Sequence, residues 1–413
     1  MSGNLSSKMD FDFKFWLRFS LFNLLLVASL GVLMRYKIGF EFPFFDQHNI
    51  LHAHSHFAFA GWITNTLFVL MIRYLLLIGV TKSVVSYNRI IISNLICSYG
   101  ILISFAVQGY GVVSIIFSTL SVVIMGIFAY YFLNDLEKLP KKNPVKAWFK
   151  SAIWFGILSS IGTFYLAFMM VTKHFNESWY LASVYFYLHF QYNGFFIFTI
   201  IGLLYSLFQF KNPSLKHDKR VFDFFFYALI PAYFLSTLWA DLPSWLYVMV
   251  VIAAFMQTIG GYFLFKTIRK QLLFFADTDA LSKRVLLFVG IAFLIKLMLQ
   301  LGSTVPVVSN LAFGFRPVVI AYLHLVLLAV ISVFLIGFLR FSNLIQRNKT
   351  SDIGVILFMI GVFLNEFVLA IQGVAAFSYL PVPFINTVLF CIALLILFSI
   401  ILIVKAQLSK KVF

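Results

Sequence analysis

What most constrains this chain is the recurrence of apolar stretches about 20 residues long, the length a helix needs to cross a hydrocarbon core. Between breaks of polar residues, Pro or Gly, about twelve follow one another, over 13–35, 52–74, 87–109, 112–134, 147–172, 179–208, 221–240, 243–266, 283–305, 317–340, 352–376 and 384–406. Of the 413 residues, 62% are hydrophobic and 11% charged, against roughly 25% charged in an average soluble domain. A soluble fold cannot hide that much apolar surface, so the solvent here is lipid. The first run is too long for a signal peptide, is followed promptly by others and has no small-residue cleavage site after it, so it is expected to remain as a helix. No Ser/Gly linker, charge block or repeat divides the sequence. The expected fold is all-α: one polytopic membrane domain over residues 1–413.

The net charge of +17 would suggest nucleic acid, but its placement argues otherwise. Lys8, Lys14 and Arg18 open the first span, and Arg73, Lys82 and Arg89 surround the second connection. Lys138, Lys141, Lys142 and Lys146 lie in the fourth, Lys211, Lys216, Lys219 and Arg220 in the sixth, and Lys266, Arg269, Lys270, Lys283 and Arg284 flank the eighth. Arg340, Arg347 and Lys349 occupy the tenth, and Lys405, Lys410 and Lys411 close the chain. Odd-numbered connections carry few basic residues, chiefly Arg35, Lys37, Lys173 and Arg316. By the positive-inside rule the even connections and both termini are cytoplasmic. The excess charge is a topology signal, and the expected surroundings are membrane lipid, without nucleic acid. Cys97 and Cys391 both fall inside spans, so they form neither a disulfide framework nor a thiolate metal site.

Three of the eight histidines sit within LHAHSHFAFAGW, as His52, His54 and His56 at the start of the second span. His189 lies in YFYLHFQYNGFF of the sixth span and His324 in VVIAYLHLVLL of the tenth. All three spans run from outside to inside, and at about 1.5 Å per residue the histidines converge on the outer half of the membrane. A histidine in a spanning helix is costly and usually faces the bundle interior. Each alone would be explained by a hydrogen bond to a neighbouring helix; three at matching depth call for more. Residues four apart share a helix face, so His52 and His56 point one way and His54 another. Imidazole suits iron, copper and zinc, and a six-coordinate haem between two helices takes one histidine from each. A surface zinc or copper ion is the other use of three alternating histidines.

These residues resemble the haem-copper oxidase subunit I superfamily, including nitric oxide reductases and the NnrS-like membrane haem proteins. LASLGVLMRYKI followed by NILHAHSHFAFAG looks like that superfamily's first-helix exit and the histidine of its low-spin haem. HFQYNGF is similar to the His-x-x-x-Glu-Gly motif of the nitric oxide reductase branch, with His189 as the non-haem metal ligand and Asn193 in place of glutamate. VVIAYLHLVLL looks like the His-x-His segment, with Tyr322 in place of the first histidine and His324 as the second. The seventh span, FYALIPAYFLSTLW, lacks the family's histidine pair. The resemblance therefore implies a b-type low-spin haem between His324 and one of His52, His54 and His56, with His52 favoured by alignment and His56 next. It also implies a degenerate second metal centre, of copper or iron, to which His54, His189 or Tyr322 would contribute.

Other polar residues interrupt the spans. Lys296 and Glu366 each sit about thirteen residues from the cytoplasmic end of their helices, so they invite pairing, either to fix register or to carry protons. Arg316 precedes Pro317 just above His324, where it would meet a haem propionate or anchor in headgroups. The resemblance implies a haem protein of a bacterial cytoplasmic membrane, transferring electrons or serving nitric oxide or oxygen respiration with a redox partner or subunit. Two alternatives stand beside it: an active oxidase or nitric oxide reductase whose ligands are unrecognised, and a haem-free transporter or scaffold on the same fold.

Overall fold

The structure is a computed structural model that describes residues 11–81, 83–212, 218–275, 278–309, 315–377 and 379–408. Lys8, Lys82, Lys216, Lys410 and Lys411, named above as topology signals, lie outside the described residues. Among the described residues there is no β-strand, and the long helices are α1 (Phe13–Gly39), α2 (Gln47–Ile78), α3 (Val84–Gln108), α4 (Val112–Glu137), α5 (Lys146–Thr172) and α6 (Glu177–Lys211). They continue as α7 (Lys219–Ala232), α8 (Ser244–Gln271), α9 (Ala280–Gly302), α10 (Arg316–Phe341), α11 (Lys349–Phe377) and α12 (Ile385–Leu408). Eleven are long and apolar enough to cross a membrane; the exception is α7. It has 14 residues, and after Pro231 the chain tightens into a 3₁₀ turn at Tyr233–Thr237. Proline lacks the N–H that would continue the ladder, which explains why the regular helix stops there.

Polar side chains set several helix starts. The carboxyl groups of Asp12, Asp46 and Asp279 and the amide of Asn176 accept from the first backbone N–H groups of α1, α2, α9 and α6. These N–H groups have no partner within their own helix, so a cap satisfies them at the membrane rim.

The helices close into a ring. Consecutive helices pack from α1 to α6 and from α7 to α12, α6 touches the turn after α7, and α12 lies along α1. Within it, α2, α6 and α10 are central: 78%, 89% and 56% of their apolar windows are buried, against at most 50% for any other span. These three share a second feature. Each contains a stretch of π-helix, at Ala58–Thr64, His189–Phe196 and Leu325–Ser332. A π turn takes an extra residue and frees backbone carbonyls from the normal ladder. In α2 those carbonyls are met by buried side chains: Asn23 donates to Gly61 O (2.6 Å), Thr66 to Trp62 O (2.6 Å) and Asn94 to Ala60 O (3.4 Å). Tyr99 donates to Asn23 (2.7 Å), Asn94 to Asn65 (3.2 Å) and Asn65 to Ser20 (3.0 Å), which knits α1, α2 and α3 together. Trp62 in turn donates to Ser332 (3.0 Å), joining the π turns of α2 and α10.

The core lies at one end. Below the π turns every residue of α6 from Ile197 to Phe208 is buried, as is every residue of α10 from Val333 to Arg340. Above them, Arg316–His324 buries no residue and Glu177–Leu188 only Ser183. We call this second end the histidine end. At the opposite end the basic connections are pinned by acids. Arg340, 3% exposed, meets Asp279 (2.9 Å) and Asp352 (2.5 Å). Burial pushes the Asp279 carboxyl up, but the Ser282 hydroxyl and Arg340 outweigh it and hold the group at about 2. Lys146 and Lys150 hold Glu137 at 2.9 and 2.6 Å.

Candidate functional site: two histidine clusters around α2

Each of the three spans that carry the singled-out histidines has one of them at or close to its π turn. His56 precedes that of α2 by two residues, His324 immediately precedes that of α10, and His189 begins that of α6. Their ring nitrogens have different partners, and those partners decide what each can do.

His54 and His324 form one group. His54 Nδ1 lies 3.0 Å from Val27 O and His324 Nδ1 lies 2.9 Å from Ile320 O. A carbonyl only accepts, so in the neutral ring each Nδ1 carries the proton and each Nε2 keeps its lone pair. Neither Nε2 takes a hydrogen bond among the described residues. The two rings lie close enough to interact electrostatically, and both feel the charge of Arg35 near the end of α1. Gly31, one turn before Arg35, faces the His54 ring: a Cβ there would stand 3.5 Å from His54 Cε1.

His48, His52 and His56 form the other group, on the opposite face of α2. His52 Nε2 lies 3.1 Å from His48 Nε2, and His56 Nε2 lies 3.2 Å from the Tyr110 hydroxyl in the connection between α3 and α4. The structure thus brings His54 towards His324, whereas His52 and His56, the alignment's choices, turn to α3. Two residues along a helix is about 200° of rotation, so only one of the two sets can face α10.

His189 is spent on structure. Its Nε2 donates to Leu229 O (2.9 Å) and its Nδ1 accepts from the Asn193 amide (3.2 Å), so both nitrogens are engaged. The carbonyl is supplied by the break in α7: Tyr233 N–H turns to Ile230 and Pro231, away from Leu229. Tyr322 lies near Tyr192 of α6. Among the described residues no three His, Cys, Asp or Glu side chains converge on one point, so the second metal expected from His54, His189 and Tyr322 finds no ready ligand set. Arg316 is exposed at the start of α10, while Arg35 is the arginine beside the histidines.

The expected pairing of Lys296 with Glu366 is not made. Lys296 is 2% exposed, with its Nζ 5.7 Å from the Phe293 ring and close enough to His189 to feel it. Glu366 accepts instead from its neighbour Asn365 (3.2 Å). Among the described residues neither has an ion-pair partner, because α9 presents Lys296 towards α6 and α11 presents Glu366 elsewhere. The Asn23, Asn65 and Asn94 network was missed by sequence reasoning; its signal was three asparagines inside apolar runs.

No family model matches the chain, and no curated protein matches it.

Proposed function

We propose that the chain is a membrane electron-transfer protein that holds one low-spin b-type haem between α2 and α10, with His54 and His324 as the axial ligands. The observation that carries this reading is the matched pair of imidazoles, each with Nδ1–H tied to a backbone carbonyl and Nε2 left free. Such a hydrogen bond fixes the tautomer and orients a metal-binding ring. The residues around them suit the group. The helix halves from Glu177 to Leu188 and from Arg316 to His324 are packed less fully than the halves below the π turns, and Arg35 supplies a cation for propionates. Haem would contribute a one-electron redox couple. The protein's own part is to hold both imidazoles neutral, present their lone pairs to one space and set a positive charge beside them.

In this reading α7 with its 3₁₀ turn completes twelve spans, both termini are cytoplasmic, and the bundle is of the haem-copper oxidase subunit I type in a bacterial cytoplasmic membrane. A respiratory redox partner or subunit would exchange electrons at the histidine end. Turnover of oxygen or nitric oxide is not favoured, because α7 has no histidine and His189 uses both nitrogens. A haem-free transporter is the second reading, favoured by the broken α7 beside the buried Lys296.

The test is a reduced-minus-oxidised optical spectrum of the detergent-purified protein. Sharp low-spin bands are expected, lost in His54→Ala and in His324→Ala and kept in His52→Ala. No haem in the wild type sinks the proposal in favour of transport; loss in His52→Ala with retention in His54→Ala reverses the ligand assignment.

A further inference from the structure

The histidines that α2 turns away from His324 are left unused by a haem between α2 and α10. His48, His52 and His56 recur every four residues, so they form one stripe along α2 at the histidine end. His48 and His52 approach edge to face, with ring centroids 4.2 Å apart and Nε2 atoms 3.1 Å apart. The next ring is held flat: His56 stacks on Phe105 at 4.4 Å and 8°, with its Nε2 on the Tyr110 hydroxyl. The Tyr110 ring also closes over His52, at 4.5 Å between centroids.

The backbone beneath the stripe is fixed independently. Asp46 caps α2 through the N–H groups of His48 (2.9 Å) and Asn49 (3.0 Å). Gly109, at φ +61°, lets the end of α3 come close to the Asn49 side chain, where a Cβ would collide with its Oδ1. That approach sets Tyr110, the next residue, against the histidines. Such rigidity is what a preorganised ligand pair requires.

Two imidazole nitrogens bound to one ion at about 2.0–2.1 Å stand roughly 2.8–3.4 Å apart as the angle at the metal opens from square-planar to tetrahedral. The observed Nε2 separation falls in that interval, and the proton now shared between the two nitrogens is the one a metal ion would replace. Helical histidines four apart are also a known way to grip a divalent ion from one face. His48 is exposed and His52 only half-buried, so the pair can be reached from water.

We propose that His48 and His52 chelate a late first-row divalent cation at the mouth of the bundle, with copper(II) held most tightly. Imidazole nitrogen suits this group of metals, and affinity peaks at copper. With two protein ligands the remaining positions belong to water, so the site is open and exchangeable. Tyr110 and His56 stand beside it as a hydrogen-bonded pair able to order a coordinated water. The site is separate from the one between His54 and His324 and holds whether or not haem is bound.

The experiment is a copper(II) titration of tag-free, detergent-purified full-length protein, read by electron paramagnetic resonance. One tightly held copper per chain with hyperfine structure from two nitrogens is expected. His48→Ala and His52→Ala should each weaken it at least about tenfold, as outer-shell changes alone cost that much in characterised metal sites. His54→Ala should leave copper affinity unchanged. His48→Gln, with its thermal melting compared with wild type, separates loss of a ligand from loss of fold. The proposal is overturned if wild type and the His48→Ala/His52→Ala double variant bind copper equally, or if the bound ion shows fewer than two nitrogens.

Discussion

At the scale of single residues, what a side chain can do here is set by which of its atoms are already taken. His54 and His324 have one nitrogen committed and one free; His189 has none free. Lys296 is the opposite case, an ionisable group 2% exposed with no acid beside it among the described residues. Keeping a lone charge in a low-dielectric interior is costly, and a hydrophobic side chain of similar length removes that cost. Lys296→Met is therefore expected to raise resistance to thermal or SDS unfolding by about 1–3 kcal/mol, the cost of a buried donor without a partner. A variant that melts lower than wild type would show that the ammonium is held by favourable interactions after all. The sequence announced Lys296 and Glu366 as a pair because they lie at equal depth. Depth is readable from residue number, whereas rotation about the helix axis relative to a distant helix is not.

At the scale of elements, the π turns are the features that organise the bundle. They mark the boundary in α2, α6 and α10 between the histidine end and the more tightly packed lower half, and in α2 they rely on side chains from α1 and α3 to satisfy the carbonyls that the wide turn releases. Asn23→Leu would strip the Gly61 carbonyl and the Tyr99 hydroxyl of their partner at once. Leaving a buried polar group unsatisfied costs about 1–3 kcal/mol, so this variant should unfold at clearly lower SDS than wild type, while Tyr99→Phe, which removes only a donor, should lose less. Equal stability of Asn23→Leu and wild type would remove the asparagine from its role. Nothing in the apolar runs marks a π turn, since a run of leucines and phenylalanines reads alike in either helix. The positions of eleven spans are legible because length and hydropathy fix them; the seventh, expected over 221–240, is instead a 14-residue helix, because the effect of Pro231 on its length and on the Leu229 carbonyl needs the three-dimensional path. Which of His52, His54 and His56 faces His324 is partly legible too: helical phase separates His54 from the other two, but not which face meets α10.

At the scale of the whole molecule, two ends with different character follow from one composition. One end is a dense apolar core closed by the ion pairs of buried Arg340 with the half-exposed Asp279 and Asp352; at the other, histidine, tyrosine and arginine side chains sit on helix halves that bury few residues. Both proposed sites sit at this less fully packed end. The closure of the ring has a further consequence. Because α12 lies antiparallel along α1, with Phe390 against Tyr36 at 5.9 Å, the start of α1 and the finish of α12 emerge as neighbours at the same end. Chain order is then a convention that the bundle does not need. A circular permutant with the old ends joined by a flexible linker and new ends cut between Lys141 and Lys142, at that same end, should insert, fold and keep the spectrum of the parent, whereas failure to fold would mean that assembly depends on α1 entering first. A closed circle of helices has no first member, and a protein built that way can be opened at any seam away from its histidine end.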